Sequence, residues 1–320
     1  MLVALTLLLT LPPAVAGDAS PKIVNGEEEA EHPAVVSLGA DFGSQRFSLC
    51  TGSIITTRII LTAAHCGQDI PPSIIASAGR AYLGADIEAP DHELRLVDMV
   101  LHPAYVELEG GLGGQISEFD LAVVVLAEDA PVDPIPIHLD PVTEDDLGRE
   151  MLSVGFGASS GSGSGSGTKR SAVLILDDFD EQHLYTDANQ NPSRGNICSG
   201  DSGGPQMLQA DDGVWEQWAV HSWGYQGCGG LSASARTDVA ADWLMEQIEA
   251  VHGTTDLCEA QGLYADDICD DTCEADPACA VASVAEAPEE KGGCSATSGA
   301  ATWGAMALAA VIAAPRRRRL

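Results

Sequence analysis

Positive charge is what this chain has least of. Its 320 residues carry 15 Lys and Arg against 48 Asp and Glu, a formal net charge of −33 at pH 7. Binding a phosphate backbone needs Lys and Arg clustered on one face, so nucleic acid is excluded as a partner. A solvated, acidic, extracellular surface is the simplest reading. The shortage extends to the N-terminus: residues 1–16 form an apolar, leader-like run with no Lys or Arg behind Met1, ending in Ala14-Val15-Ala16, which suits a signal-peptidase site before Gly17. A disordered chain is excluded by a hydrophobic content of 45%, enough for the core of one large or two ordinary domains.

Export makes disulfides expected, and nine cysteines leave at least one unpaired or modified. The stretch around which the chain is organised is Cys198-Ser199-Gly200-Asp201-Ser202-Gly203-Gly204-Pro205. A serine hydroxyl is a poor nucleophile at neutral pH and needs a base to take its proton and fixed donors to hold the oxyanion. Glycines on both sides of Ser202 let backbone N–H groups approach a reacting carbonyl. The plainer alternative is a Gly-rich turn beside a structural cysteine.

Upstream, residues 48–55 and 59–66 read as two short β-rich runs around a turn at Thr56-Thr57-Arg58, the second ending in Ala63-Ala64-His65-Cys66. A disulfide between Cys50 and Cys66 would pin the loop that carries His65. Asp120 stands at the mouth of an apolar strand, Leu121 to Leu126. A carboxylate there is costly to bury without a partner, and His65 is the natural one, oriented so that its other ring nitrogen faces Ser202.

With Ile23-Val24-Asn25-Gly26 behind the basic Lys22, these motifs make residues 23–252 resemble a trypsin/chymotrypsin-family serine protease. The resemblance implies an all-β fold of two six-stranded antiparallel barrels with the site in the cleft between them and a closing helix. It implies His65 as general base and acid, Asp120 as its orienting carboxylate, Ser202 as acylating nucleophile, and the N–H groups of Gly200 and Ser202 as oxyanion hole. It implies that a cut after Lys22 frees the Ile23 amine to pair with Asp201, so that the protein is made as a zymogen, and that Cys198 pairs with Cys228. No cofactor or metal is needed.

The resemblance also locates the pocket for the residue on the acyl side of the cut. Its base is Asn196 and its wall Ser222-Trp223-Gly224, with a second wall position at Ser234. A neutral base lacks the aspartate that would pair with Lys or Arg, so cleavage after basic residues is not expected to be preferred. The Lys22 site then requires an activating protease in trans. The Ser-Gly run ending at Gly167 has no apolar residue to bury and is expected to be flexible coil, with Lys169-Arg170 an exposed basic pair behind it. Residues 237–252 suit an amphipathic helix with Leu244, Ile248 and Val251 on one face and Gly253 to end it.

The chain thus divides into a signal peptide (1–16), an activation segment (17–22), a protease domain (23–253), an acidic Cys-rich segment (254–279), a linker (280–293) and a tail (294–320). The Cys-rich segment has four cysteines, enough for two disulfides, and reads as a disulfide-tied spacer. The alternative is a Ca²⁺ site made by the carboxylates of Asp266, Asp267, Asp270 and Asp271, although they lack the glycine and glutamate spacing of an EF-hand loop. The tail, Cys294 followed by a weakly apolar run and Arg316 to Arg319, is marginal as a membrane span. It resembles the myxobacterial MYXO-CTERM sorting signal, which implies Cys294 as the processing or lipid-attachment site and display at the cell surface or outer membrane through sorting machinery. A catalytically silent adhesin on the same scaffold, or a narrow processing protease, are the contrasting readings.

Overall fold

Short aliphatic and β-branched runs bounded by Gly, Asp and Ser favour strands, and strands dominate the fold. The structure, a computed structural model, describes residues 23, 26–43, 45–109, 115–160, 163–187, 195–210, 213–224, 228–265, 269, 273 and 275–279. The N-terminal half contains β1 (Glu27–Glu28), β2 (Val35–Asp41), β3 (Arg46–Ile54), β4 (Ile59–Thr62), α1 (Pro72–Ala78), β5 (Gly79–Leu83), β6 (His92–Leu101), β7 (Val106–Glu109), β8 (Gln115–Glu118) and β9 (Ala122–Leu126). The C-terminal half contains β10 (Glu150–Gly155), β11 (Arg170–Ile175), β12 (Asp178–Phe179), β13 (His183–Asp187), β14 (Pro205–Gln209), β15 (Trp215–Gly224), β16 (Leu231–Arg236), α2 (Ala241–His252) and α3 (Leu257–Ala260).

Six strands close a barrel in the order β2-β3-β4-β9-β6-β5, as expected. Strands β4 and β9 read as unbroken apolar runs because both of their faces are buried. Ile60, Val124 and Leu126 point into the barrel core, whereas Ile59, Leu61 and Val123 pack with Val220, Ala235, Leu244 and Ile248 of the other half. Their register pairs Thr62 with Ala122. His65 lies three residues beyond one of these positions and Asp120 two before the other, so the two strands deliver both residues to the same end of the barrel.

The other half departs from the expected second six-stranded barrel. Among the described residues it is an eight-stranded sheet, β1-β11-β10-β14-β15-β16-β13-β12, with no ladder joining its ends. Residues of β11 and β13 come close, but Glu27 and Glu28 of β1 take the start of the free edge of β11, pairing with Ser171 and Arg170. Helix α2 buries Trp243, Leu244 and Ile248 and ends at Gly253, whose φ of 74° a residue without a Cβ adopts readily.

The Cys-rich segment is not a free spacer at its start. Asp256 caps α3 through the N–H groups of Cys258 and Glu259, and Thr57 N–H donates to the Ala260 carbonyl at 3.0 Å. The Gln261 amide donates to the buried Ile55 carbonyl at 3.1 Å, and Ala260 and Leu263 are buried. Disulfides join Cys258 to Cys273 and Cys269 to Cys279. Gln261→Ala leaves a buried carbonyl unpaired and is expected to cost about 1–3 kcal/mol, read as a lower urea midpoint for unfolding. Asp266, Asp267, Asp270 and Asp271, the linker, Cys294 and the tail lie outside the described residues, and no helix among the described residues is long and apolar enough to cross a membrane.

Candidate active site

His65 sits in a short 3₁₀ turn, residues 64–66, at the exit of β4. Its Nδ1 is 2.8 Å from Asp120 Oδ2, and its backbone N–H donates to Asp120 Oδ1 at 2.9 Å. Ser222 Oγ donates to Oδ2 of the same carboxylate at 2.5 Å. Asp120 is fully buried, and Phe119 before it takes a φ of 48° as the chain turns the carboxylate inward. Burial works to raise the Asp120 pKa, but the hydrogen bonds from His65 and Ser222 and the imidazole charge outweigh it, and the carboxyl is held below its usual range. For His65, burial opposes the imidazolium, yet Asp120, with Glu107 farther off, raises its pKa above the usual value. An imidazole so fixed is oriented and is a better base, and its second nitrogen, not held by Asp120, lies 3.9 Å from Cys66 Sγ.

The Ser202 turn is brought to the same place from the other half. Its carbonyl accepts from Thr51 N–H at 2.8 Å and lies 3.8 Å from Cys66 Sγ. The disulfides Cys50–Cys66 and Cys198–Cys228 are both formed. Gly200 and Gly203 have φ of 95° and 83°, and a Cβ on Gly203 would lie 2.0 Å from Thr62 Oγ1. The turn therefore demands glycine there. Thr51 Oγ1 holds the Gly200 carbonyl at 2.9 Å. Among the described residues the N–H groups of Gly200 and Ser202 donate to nothing, as an oxyanion hole requires.

Asp201 is fully buried and accepts from Gly157 N–H at 2.7 Å and Cys198 N–H at 2.8 Å. Burial raises its pKa to about 7 despite those bonds and the charge of Arg170. Ile23 is buried although the chain continues through Lys22, which, with Val24 and Asn25, lies outside the described residues. The basic pair Lys169 and Arg170 is buried, not exposed. Lys169 Nζ donates to the His32 carbonyl at 2.8 Å over the Phe156 ring, and burial lowers its pKa to about 8. Arg170 donates to the carbonyls of Gly157, Gly165 and Thr168, which ties down part of the Ser-Gly loop.

Asn196 is buried with its amide committed: Nδ2 donates to the Gly230 carbonyl at 3.0 Å, while Oδ1 accepts from Ile197 N–H and Ser232 Oγ, both at 2.9 Å. Ser234 is not beside it. Its hydroxyl bonds Gln206 Oε1 and His221 Nδ1 deeper in the sheet, and Ser232, which the sequence did not single out, takes the place against Asn196. Trp223 is flanked edge-on by His183 and Tyr185, and Gly224 pairs with Ser232.

A buried carboxylate, the imidazole it holds and a serine on a glycine turn with free N–H donors are the parts of a hydrolase that works through an acyl-enzyme. The trypsin family model matches residues 23–244. The chain belongs to the trypsin family, and the matched region is a serine endopeptidase domain. It is similar to serine protease Hayan of Drosophila melanogaster (29% identity over 258 residues, 69% of this chain and 37% of the relative). It is also similar to transmembrane protease serine 9 of Rattus norvegicus (28% over 248 residues, 70% and 22%). The chain thus spans well under half the length of these relatives.

Proposed function

We propose that the protein is an exported serine endopeptidase, made as a zymogen and switched on by a cut behind Lys22, which cleaves protein substrates without preferring Lys or Arg. The observation that carries the chemistry is the fully buried Asp120 bound by both His65 and Ser222. In the reaction Ser202 Oγ attacks the peptide carbonyl as His65 Nε2 takes its proton, and the N–H groups of Gly200 and Ser202 receive the oxyanion. The proton then passes to the departing amine, and water repeats the steps in reverse to release the acyl group.

Activation rests on Asp201, a buried carboxyl whose pKa near neutrality makes it responsive to a new cation. The freed Ile23 amine is that cation, and the cut is made in trans because Lys22 is a poor substrate for the enzyme's own pocket. The committed amide of Asn196 supports this preference: its donor and acceptor are satisfied inside the protein, so a guanidinium or ammonium finds no anion there. Four disulfides use eight of the nine cysteines and leave Cys294 over. This supports a sorting tail that holds the enzyme at the cell surface.

The test is a peptide-library digest with the full chain after cleavage behind Lys22. The expected profile favours Leu, Phe or Ala over Lys and Arg at the acyl position by roughly tenfold or more in kcat/KM. Fast turnover of Lys and Arg substrates alone would refute the pocket assignment.

A further inference from the structure

Arg170 is a buried cation that takes no part in the acylation steps. It is 6% exposed and stands across the β10–β11 ladder from Gly155. Its Nη1 donates to the carbonyls of Gly157 at 3.3 Å, Gly165 at 2.6 Å and Thr168 at 3.2 Å, while Nε has no hydrogen-bond partner among the described residues. Carbonyls satisfy donors but do not neutralise a charge, and a buried cation is costly without an anion.

The anion is Asp201. Of the carboxylates whose charge acts on Arg170, Asp201 comes first, ahead of Glu28 and Asp86. In return, the charge of Arg170 holds the Asp201 carboxyl down against the burial that raises it. Glycine backbone lies directly against this carboxylate: a Cβ on Gly155 would come within 2.2 Å of Asp201 Oδ1, and one on Gly157 within 2.6 Å. Gly157 joins the two charges, its carbonyl on the guanidinium and its N–H on Asp201 Oδ1 at 2.7 Å.

An ionised Asp201 shapes the site. Its Oδ2 accepts from Cys198 N–H at 2.8 Å and its carbonyl from Gly204 N–H at 2.9 Å, so the turn from Cys198 to Gly204 closes around the carboxylate. Gly200 and Ser202, whose N–H groups receive the oxyanion, lie inside this turn. The turn has this form in a chain that still runs through Lys22, before any Ile23 amine exists.

We propose that Arg170 is a positioning residue for the Ser202 turn, a standing counter-charge that assembles the oxyanion hole before the cut, so that the uncut chain is already a slow serine hydrolase. The proposal rests on Ser202 being the nucleophile and on the freed Ile23 amine being the stronger activator. Before the cut, Arg170 is the cation that opposes the burial of Asp201, and the turn is held part of the time. Afterwards the Ile23 ammonium adds a second cation, and the dependence on Arg170 falls. The cut then raises an existing activity.

The test compares two forms of the full chain: Lys22→Gln, which stays uncut, and the wild type cut behind Lys22. Each is given a fluorophosphonate, and the rate of labelling is followed. The Oγ–P bond to Ser202 forms as the P–F bond breaks, and the serine proton leaves through His65 with the fluoride. Slow labelling of the Lys22→Gln chain is expected, and its loss when Ser202→Ala is added. Arg170→Gln keeps amide donors for the loop carbonyls but removes the charge, and is expected to widen the ratio of cut to uncut rates by about tenfold or more. Arg170→Lys, which keeps the charge without the fork, is expected to leave that ratio near its parent value. An uncut chain that is never labelled, beside a cut form that is, overturns the proposal and leaves the zymogen reading intact. An equal fall in both forms with Arg170→Gln also overturns it, by making Arg170 a loop anchor alone. If neither form is labelled, the nucleophile reading falls and this proposal with it.

Discussion

Ser202→Ala is expected to lower kcat/KM on the best peptide substrate by on the order of 10⁴-fold or more, with binding of that substrate little changed. Alanine keeps the turn: the Ser202 carbonyl is held by Thr51 N–H, and Gly200 and Gly203 supply the strained backbone. What disappears is the atom that attacks. The oxyanion donors and the His65–Asp120 pair remain, so activity falls to the residue that binding and electrostatics supply to an attacking water. A fluorophosphonate probe gives the same answer by another route, because it needs a serine activated by its neighbours. Labelling of the cut wild type and its loss in Ser202→Ala is the expected pair of results. An unlabelled wild type with bound peptide would turn the chain into the silent adhesin.

The second large effect is a pH-dependent gain in stability on cutting behind Lys22. In the uncut chain the Asp201 pKa stands at about 7, raised by burial from its usual 3.8. A carboxyl raised on folding weakens the folded state as pH climbs from the unfolded value to the folded one, and the full loss, reached above pH 7, is about 4 kcal/mol. A freed Ile23 ammonium paired with Asp201 removes that loss. The cut and uncut forms are therefore expected to unfold at similar urea concentrations near pH 4 and to separate progressively up to pH 7, with the cut form more stable. Asp201→Asn should abolish the pH dependence of the gap. A gap that stays flat across that range would mean the amine never reaches Asp201.

The residues of the site were legible because each sits in a short local pattern: His65 closes an apolar run, Asp120 opens one, and Ser202 is framed by glycines that the turn cannot replace. What was hidden depends on partners far away in sequence. The register of β15 against β16 shifts between His221 and Trp223, and that shift places Ser232, rather than Ser234, against Asn196. Lys169 and Arg170 read as a surface pair because charge and a flexible neighbour suggest solvent, yet the carbonyls of His32, Gly157, Gly165 and Thr168 await them. The first barrel was expected from the family resemblance alone; the apolar runs of β4 and β9 signalled strands, and only the structure shows that both of their faces are buried. The open edge of the second sheet turns on two residues, Glu27 and Glu28, which carry no strand signal of their own. Nor could the sequence announce that Gln261 meets Ile55, 206 positions earlier.

That last contact has a mechanical consequence. Tension on the chain beyond Cys279 passes through the Cys269–Cys279 and Cys258–Cys273 bonds into α3, and from there to Ile55 and Thr57. Those residues lie at the entry of β4, while His65 lies past its exit. A load applied there enters β4 at the end opposite His65, so the barrel strand takes it up before the turn that carries the imidazole.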